Sequence, residues 1–380
     1  MKVYELSFYS QFQCTMGGCP NTCCHGWQVV LDKNTIEKYK TKTDTSRLRL
    51  RKSMRSQNGT VRLKGSKGNC PFLTKDRVCQ IQLSLGEEDL PDVCRIFPRR
   101  RTNYGYFAEE LLFLSCPQAV RLFLNNLDHL YYQMTYRDVS YAKTGTNDDP
   151  GYLQELRSIR SAMTAHILHS NVPRPMLYAG LLSYAKALQR FYIADGQTYG
   201  NTGGNPSGAR IAPTDAACLN QASAPFAIPY DHTCAMLTSG FYHPFLKFTS
   251  PFLYRLCRIY FKKLHRLPPA KGNAHLTALC DELHRDCPDA EPMLRGYLAY
   301  YLLEEFFMTY EDYSFVRSIA AGIMHTHLLE LFFALHYANH HRLTEDDSMQ
   351  IITVYTRRAR HNDTIEKGMY EKLRHLLNKI

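Results

Sequence analysis

Thirteen cysteines are spread so unevenly along this 380-residue chain that they constrain its fold more than any other feature. Eight fall within the first 116 residues: Cys14, Cys19, Cys23, Cys24, Cys70, Cys79, Cys94 and Cys116. The other five, Cys218, Cys234, Cys257, Cys280 and Cys287, have no tight spacing and read as small buried hydrophobes. The opening residues MKVYELSFYSQFQC are polar and charged where a signal peptide needs an apolar run, so a cytoplasmic location is expected. Thiols stay reduced there, and a clustered set is then expected to bind metal rather than to pair as disulfides.

The local spacing sharpens this expectation. Cys14-x4-Cys19-x3-Cys23-Cys24 contains Gly17, Gly18, Pro20 and Asn21, turn formers that would let the thiols curl around one centre. Downstream, Cys70-Pro-Phe-Leu, Cys79-Gln-Ile and Cys94-Arg-Ile-Phe-Pro each set a cysteine in a short apolar motif, as a ligand loop anchored on a core requires. Cys116-Pro117 follows the apolar run Leu111 to Leu114. The C-x2-C knuckles of zinc sites are absent, and so is the two-cluster ferredoxin run. The C-x3-C-x2-C spacing associated with radical S-adenosylmethionine enzymes is also missing, because Cys24 follows Cys23 directly. Thiolate-only ligation suits either a structural zinc or an iron–sulfur cluster. Eight cysteines exceed what one centre needs, so some are bystanders or there are two centres.

Composition excludes several classes. At 44% hydrophobic and 12% aromatic residues the chain is too apolar for wholesale disorder. No run reaches the length of an uninterrupted apolar span, and the greasiest stretch, Ile319 to His336, carries Glu330, His325 and His327, so no membrane partner is expected. Basic residues outnumber acidic ones by 46 to 35, which favours acidic partners without choosing among them. Between Asp32 and Arg77 the count is fourteen basic to four acidic, densest at Arg47, Arg49, Arg51, Lys52 and Arg55. A solvated face explains such a run as well as a binding surface does. Aromatics interleaved with the arginines are lacking, which counts against single-stranded nucleic acid.

Residues 1–125 read as short, irregular, turn-rich elements: a strand at Trp27–Leu31, a helix from Asp32 to Tyr39 capped by Asp32 or Asn34, a loop over 53–69 and a short helix ending before Pro91. Helical periodicity begins at Pro117–Gln133 and continues through Tyr152–His169 and Arg174–Ile193. It resumes in Pro251–Leu267, Leu276–Cys287, Met293–Tyr310, Ser314–His340, Asp347–Arg360 and Asp363–Leu377. Between these blocks, residues 195–231 are rich in glycine and proline and read as a flexible loop. The expected class is mainly α: an irregular cysteine-rich metal-binding module over 1–125, then an all-α helical bundle over 126–380.

No Gly-rich phosphate cradle, GxSxG elbow or HExxH pair occurs. Glu304 and Glu305 lie among Tyr300, Tyr301, Phe306 and Phe307, where a carboxylate could have a raised pKa and act as a base, or could be the polar edge of a buried helix. Arg357 and His361, four apart, share a helical face able to hold a carboxylate or a cofactor, or simply to end a helix.

Three segments together resemble the flagellin lysine N-methylase family. They are Cys19-x3-Cys23-Cys24-x-Gly-Trp27 with Leu31-Asp32-x2-Thr35-x3-Tyr39; Cys70-x-Phe-Leu with Cys79-x-Ile-Gln and Gly86-Glu87-x2-Leu90-Pro-x-Val-Cys94-Arg; and Leu114-Ser115-Cys116-Pro117. The cysteine pattern is also similar to small zinc- or iron-chelating domains. Arg357-x3-His361 and Arg295-Gly-Tyr297-Leu298-x-Tyr300 are weaker matches. The resemblance implies methyl transfer from S-adenosylmethionine to lysine ε-amines on flagellin. It also implies a 4Fe-4S iron–sulfur cluster on the N-terminal cysteines, with Cys14 displaced by one residue from the expected spacing. The transfer needs a neutral amine, which makes Glu304, Glu305 and Tyr300 candidate catalytic residues. Arg357, His361 and Tyr297 are the candidate cofactor-binding residues, aromatic rings being suited to a cationic methyl donor. No redox step is required, so the cluster is expected to be structural. Two other classes remain in view: a metal carrier or non-catalytic chelator, and a nucleic-acid-binding metal module using residues 47–67.

Overall fold

Residues Phe315–His340 are apolar on nearly every face, and the rest of the helical body is wrapped around them. In the computed structural model this helix is long enough and, at mean hydropathy 1.4, apolar enough to cross a membrane, yet 89% of its most apolar window is buried inside the protein. It is the spine of the core. Two of its buried polar side chains are matched: His325 Nδ1 meets the Tyr355 hydroxyl at 2.8 Å, and Thr326 donates to the Gly322 carbonyl at 2.9 Å.

The structure describes residues 1–15, 19, 22–24, 29–41, 45–57, 60–63, 70–138, 149–193, 219, 224–241, 250–263 and 267–377. The elements of the N-terminal third are β1 (Lys2–Leu6), α1 (Lys33–Thr41), α2 (Thr45–Ser53), β2 (Met54–Gln57), β3 (Thr60–Leu63), α3 (Gln80–Leu85), α4 (Asp92–Ile96), β4 (Arg99–Asn103), β5 (Phe107–Leu112), α5 (Pro117–Leu124) and β6 (Tyr132–Tyr136). The helical body comprises α6 (Pro150–His169), α7 (Arg174–Ile193), α8 (Tyr230–Phe241), α9 (Pro251–Lys263), α10 (Pro269–Asp286), α11 (Ala290–Glu305), α12 (Thr309–Asp312), α13 (Phe315–His340), α14 (Glu345–Ala359) and α15 (Asp363–Leu377). Local chemistry sets several of the starts. Asp32 accepts from the Thr35 amide at 2.8 Å before α1, Asp149 does the same for Gly151 and Tyr152 before α6, and Thr344 and Asp347 form a reciprocal capping box on α14.

The class is mainly α, as expected, but the N-terminal third is more ordered than the sequence reading allowed. A four-stranded sheet runs in the order β4-β5-β1-β6, with β1 parallel to β5 and the other two pairings antiparallel. Every residue of β5 is buried, including Glu109 and Glu110. Arg160 bonds both oxygens of Glu109, at 2.9 and 2.5 Å, and Glu110 pairs with Arg101 and Arg137. The expected loop over 53–69 is instead the β2–β3 hairpin, as far as it is described. Leu31 and Leu63 donate to the Val61 and Val29 carbonyls, which lays 29–31 alongside β3; Trp27 lies outside the described residues. The expected helix 117–133 stops at Leu124, and β6 follows.

Two hydrophobic cores form. The small one gathers Val29, Leu31, Tyr39, Leu50, Leu63, Phe72 and Ile81. The large one unites β1, β5 and α5 with the helices. A boundary near 125 therefore does not follow the packing: the cysteine module is an excursion between β1 and β4, and the sheet belongs to the helical body. Most of the expected 195–231 loop lies outside the described residues, but Leu219, Phe226, Ile228 and Tyr230 are buried in the large core.

Candidate metal centre

The small core brings distant cysteines together. The Cys70 amide donates to the Cys24 carbonyl at 2.8 Å, tying two loops, and the Leu73–Cys79 bridge folds the 70–79 segment back so that its two cysteines face one way. At the centre, Cys23, Cys70 and Cys79 gather around the Cys24 sulfur, with the Thr22 hydroxyl beside them. Hydrogen bonding among these groups holds the Cys24 pKa far below that of an ordinary thiol. The same shared protons, with burial second, push Cys23, Cys70 and Cys79 upward. Burial, then the Cys24 charge, raises Cys94 to about 12.

Two cysteines stand at helix starts: Cys79 immediately precedes α3 and Cys116 immediately precedes α5, and neither side chain makes a cap hydrogen bond. First-turn N–H groups stabilise a thiolate as they do any anion. Cys14 is exposed. Among the described residues no three His, Cys, Asp or Glu side chains stand as a finished ion cage. The sulfurs are drawn onto Cys24 by hydrogen bonds, the arrangement expected of reduced thiols that share protons. The donor set nevertheless fits a thiophilic metal: Cys23, Cys24, Cys70 and Cys79 would hold it, and Cys94 borders them.

A second group of predicted residues meets this cluster from the helical side. Arg357 donates through Nε to the Ser115 carbonyl at 2.7 Å and through Nη1 to the Thr22 carbonyl at 3.2 Å. Its charge faces Cys23, Cys19, Cys116 and Cys24, while burial lowers its pKa. His361 Nε2 meets Ser115 Oγ at 2.8 Å, and its ring stands edge-on to Phe113 at 5.1 Å. One edge of that ring reaches solvent. Crowding by surrounding protein, then Arg360 and Arg357, lowers the His361 pKa, so the imidazole is neutral at pH 7.

The predicted aromatic–carboxylate pocket does not form. Tyr300 is 1% exposed and donates its hydroxyl to the Leu112 carbonyl at 2.5 Å, which pins α11 to β5. Tyr297 is buried against Thr356 and Tyr355. Glu305 accepts from Arg100 at 2.7 Å and from Arg360 at 2.8 Å, and Glu304 lies 3.5 and 3.7 Å from the same two guanidiniums. Burial raises the Glu304 pKa against the pull of Arg360. Carboxylates paired in this way hold the sheet and α11 to the end of α14. The sequence reading missed Arg100 and Arg360 as their partners. Arg360 lies between Arg357 and His361, but nothing local linked it to residues 304 and 305.

A cysteine cluster tied to a helical body through the part-buried Arg357 defines a protein with a thiol-rich, metal-chelating type of module beside a helical unit. Comparison with known proteins agrees. A family model described as a putative zinc- or iron-chelating domain matches residues 13–111, and one described as the FliB lysine N-methylase C-terminal domain matches residues 243–380. The chain is 35% identical over 133 residues to the flagellar biosynthetic protein FliU of Salmonella muenchen, covering 79% of that relative and 33% of this chain. It is 28% identical over 205 residues to a lysine-N-methylase of Salmonella typhimurium, covering 52% of this chain. The chain spans about half the length of that curated relative, 50%. No solved structure matches. The chain belongs to the lysine N-methylase family.

Proposed function

We propose that this protein methylates lysine ε-amines of flagellin with S-adenosylmethionine, in the cytoplasm, and that its N-terminal thiols hold a structural iron–sulfur cluster. Family membership and the flagellar biosynthetic name of the FliU relative support a flagellar protein substrate. The observation that carries the reading is the junction where Arg357, its charge facing Cys23 and Cys24, bonds the Ser115 carbonyl while Ser115 Oγ meets His361. When bound there, the cluster supplies a fixed anionic scaffold opposite Arg357. In the transfer, the amine lone pair attacks the donor's methyl carbon, the carbon–sulfur bond breaks, and the amine gives up a proton. His361 is the proton acceptor in this scheme, in place of Glu304 or Glu305: it is neutral at pH 7, open to solvent, and oriented by Ser115.

The test is transfer of labelled methyl groups to flagellin by anaerobically purified protein, alongside iron, acid-labile sulfide and zinc analysis. His361→Gln should slow turnover by about a hundredfold without changing metal content. Because the wild-type base has a lowered pKa, its rate should fall only as pH drops below the ordinary histidine value of about 6.5. An unchanged rate in the variant removes His361 from this role. Absence of transfer by the loaded protein defeats the proposal, and zinc without iron or sulfide replaces the cluster by a simple zinc site.

A further inference from the structure

The thiol cluster uses only the first residue of the Cys94-Arg-Ile-Phe-Pro motif. Beyond Cys94, α4 ends at Ile96, and the chain passes the cis Phe97–Pro98 peptide into β4. Alternate strand residues face opposite ways. Arg100 turns inward to Glu304 and Glu305, whereas Arg99 and Arg101 turn outward. With Arg95, Ile96 and Glu87 they line an open cleft of about 330 Å³. That is at the lower end of small-molecule sites, roughly 300–1,000 Å³. The strand β4 is the outer member of its sheet, paired by β5 alone, so the cleft sits at an edge.

The guanidiniums here are positioned in advance. Arg99 donates to the Phe12 carbonyl at 3.3 Å and lies over the Phe12 ring at 5.0 Å; among the described residues no carboxylate stands within ion-pair distance of it. Arg101 is steadied by Tyr9 at 3.2 Å and Glu110 at 3.3 Å. Arg95, half exposed, reaches Asp92 at 2.5 Å. Arg95 and Arg101 thus have carboxylate partners of their own, Asp92 and Glu110, and the cleft is lined by these two guanidiniums, Arg99 and the carboxylate of Glu87. Guanidinium forks match both carboxylate and phosphate, but Glu87 repels a doubly charged phosphate more strongly than a single carboxylate.

We propose that this cleft is a carboxylate-binding subsite, with Arg99 as its anchor and Arg95 as its movable second donor. Two sources carry the group: the amino-acid end of S-adenosylmethionine, and an acidic side chain of the protein substrate. The first source rests on the reading under Proposed function; the second does not.

The experiment is equilibrium titration of the metal-loaded full chain and its Arg95→Gln, Arg99→Gln and Glu87→Gln variants. The probes are S-adenosylhomocysteine, methylthioadenosine (which lacks the amino-acid end), and a glutamate-rich peptide with its glutamine counterpart. Loss of either arginine should weaken S-adenosylhomocysteine about tenfold and leave methylthioadenosine unchanged, while Glu87→Gln should tighten the former about threefold. If only the glutamate peptide weakens, the subsite stands with the protein substrate as its source. If both carboxylate probes bind all variants as they bind wild type, the proposal is overturned. Wild type that binds neither nucleoside defeats the donor reading alone, and the peptide arm still decides the cleft. Should Arg99→Gln fail to fold, the exposed Arg95 carries the same test.

Discussion

Replacing Arg360 by methionine tests whether Glu304 and Glu305 are structural counter-ions. Arg360 is 5% exposed, stands 2.8 Å from Glu305 and 3.7 Å from Glu304, and covers the Tyr301 ring at 4.2 Å. At an effective dielectric constant of about 20, the nearer contact alone corresponds to a Coulomb attraction of roughly 6 kcal/mol. Desolvation offsets part of it, and removing one partner of such a buried pair costs about 3–5 kcal/mol. Methionine keeps much of the volume, so the loss reports charge more than cavity. Urea unfolding should therefore show a deficit of about 3–5 kcal/mol at neutral pH. The pH dependence has a definite sign. Burial already raises the folded-state pKa of Glu304 against the opposing charge of Arg360, and the variant raises it further. A carboxyl raised on folding contributes stability that is complete below its unfolded value of about 4.3 and is lost as pH climbs through the folded value. The deficit should be largest near pH 8 and shrink toward about pH 5. A deficit under about 1 kcal/mol, or one equal at both ends of that range, refutes the reasoning.

Cys24→Ser should abolish metal binding and leave the module open to limited proteolysis while the helical body stays folded, because seven buried side chains make too small a core to stand alone. Cys14→Ser should retain the full metal content; parallel loss would mean that the exposed cysteine is a ligand after all. Gly180→Ala places a methyl group 2.0 Å from the Leu219 carbonyl and should lower stability by about 1–3 kcal/mol, read by calorimetry, with an unchanged melting temperature speaking against that contact.

Much of the helical body was legible in the sequence. Asp363–Leu377 begins and ends where periodicity placed it, and the spine helix and α14 differ from expectation by a residue or two. The eight N-terminal cysteines were picked out as a set by their motifs, without a choice among them, and Cys70, Cys79 and Cys94 pack against the small core. The sheet was not legible, for physical reasons. Its central strand pairs Lys2 with Phe107, and no local pattern encodes a partner so far along the chain. In β5 the buried Glu109 and Glu110 mask the strand, because their arginine partners come from other elements. The same distance in sequence hid the partners of Glu304 and Glu305. Their aromatic neighbours are adjacent in sequence, whereas Arg100 approaches from the sheet and Arg360 from the end of α14.

The parallel pairing of β1 with β5 also orders events during synthesis. Val3 waits for Ala108, and all the cysteines from Cys14 to Cys94 emerge in between. At roughly 5–20 residues per second the interval lasts about 5–20 s. Until β5 arrives, the module has no closed sheet at its base, and its thiols are at their most accessible. A metal delivered in that interval meets loops still free to arrange themselves, whereas later delivery must reach a site with Arg357 already seated over it. Loading during translation and loading after release are thus two kinetically separate routes to the same protein.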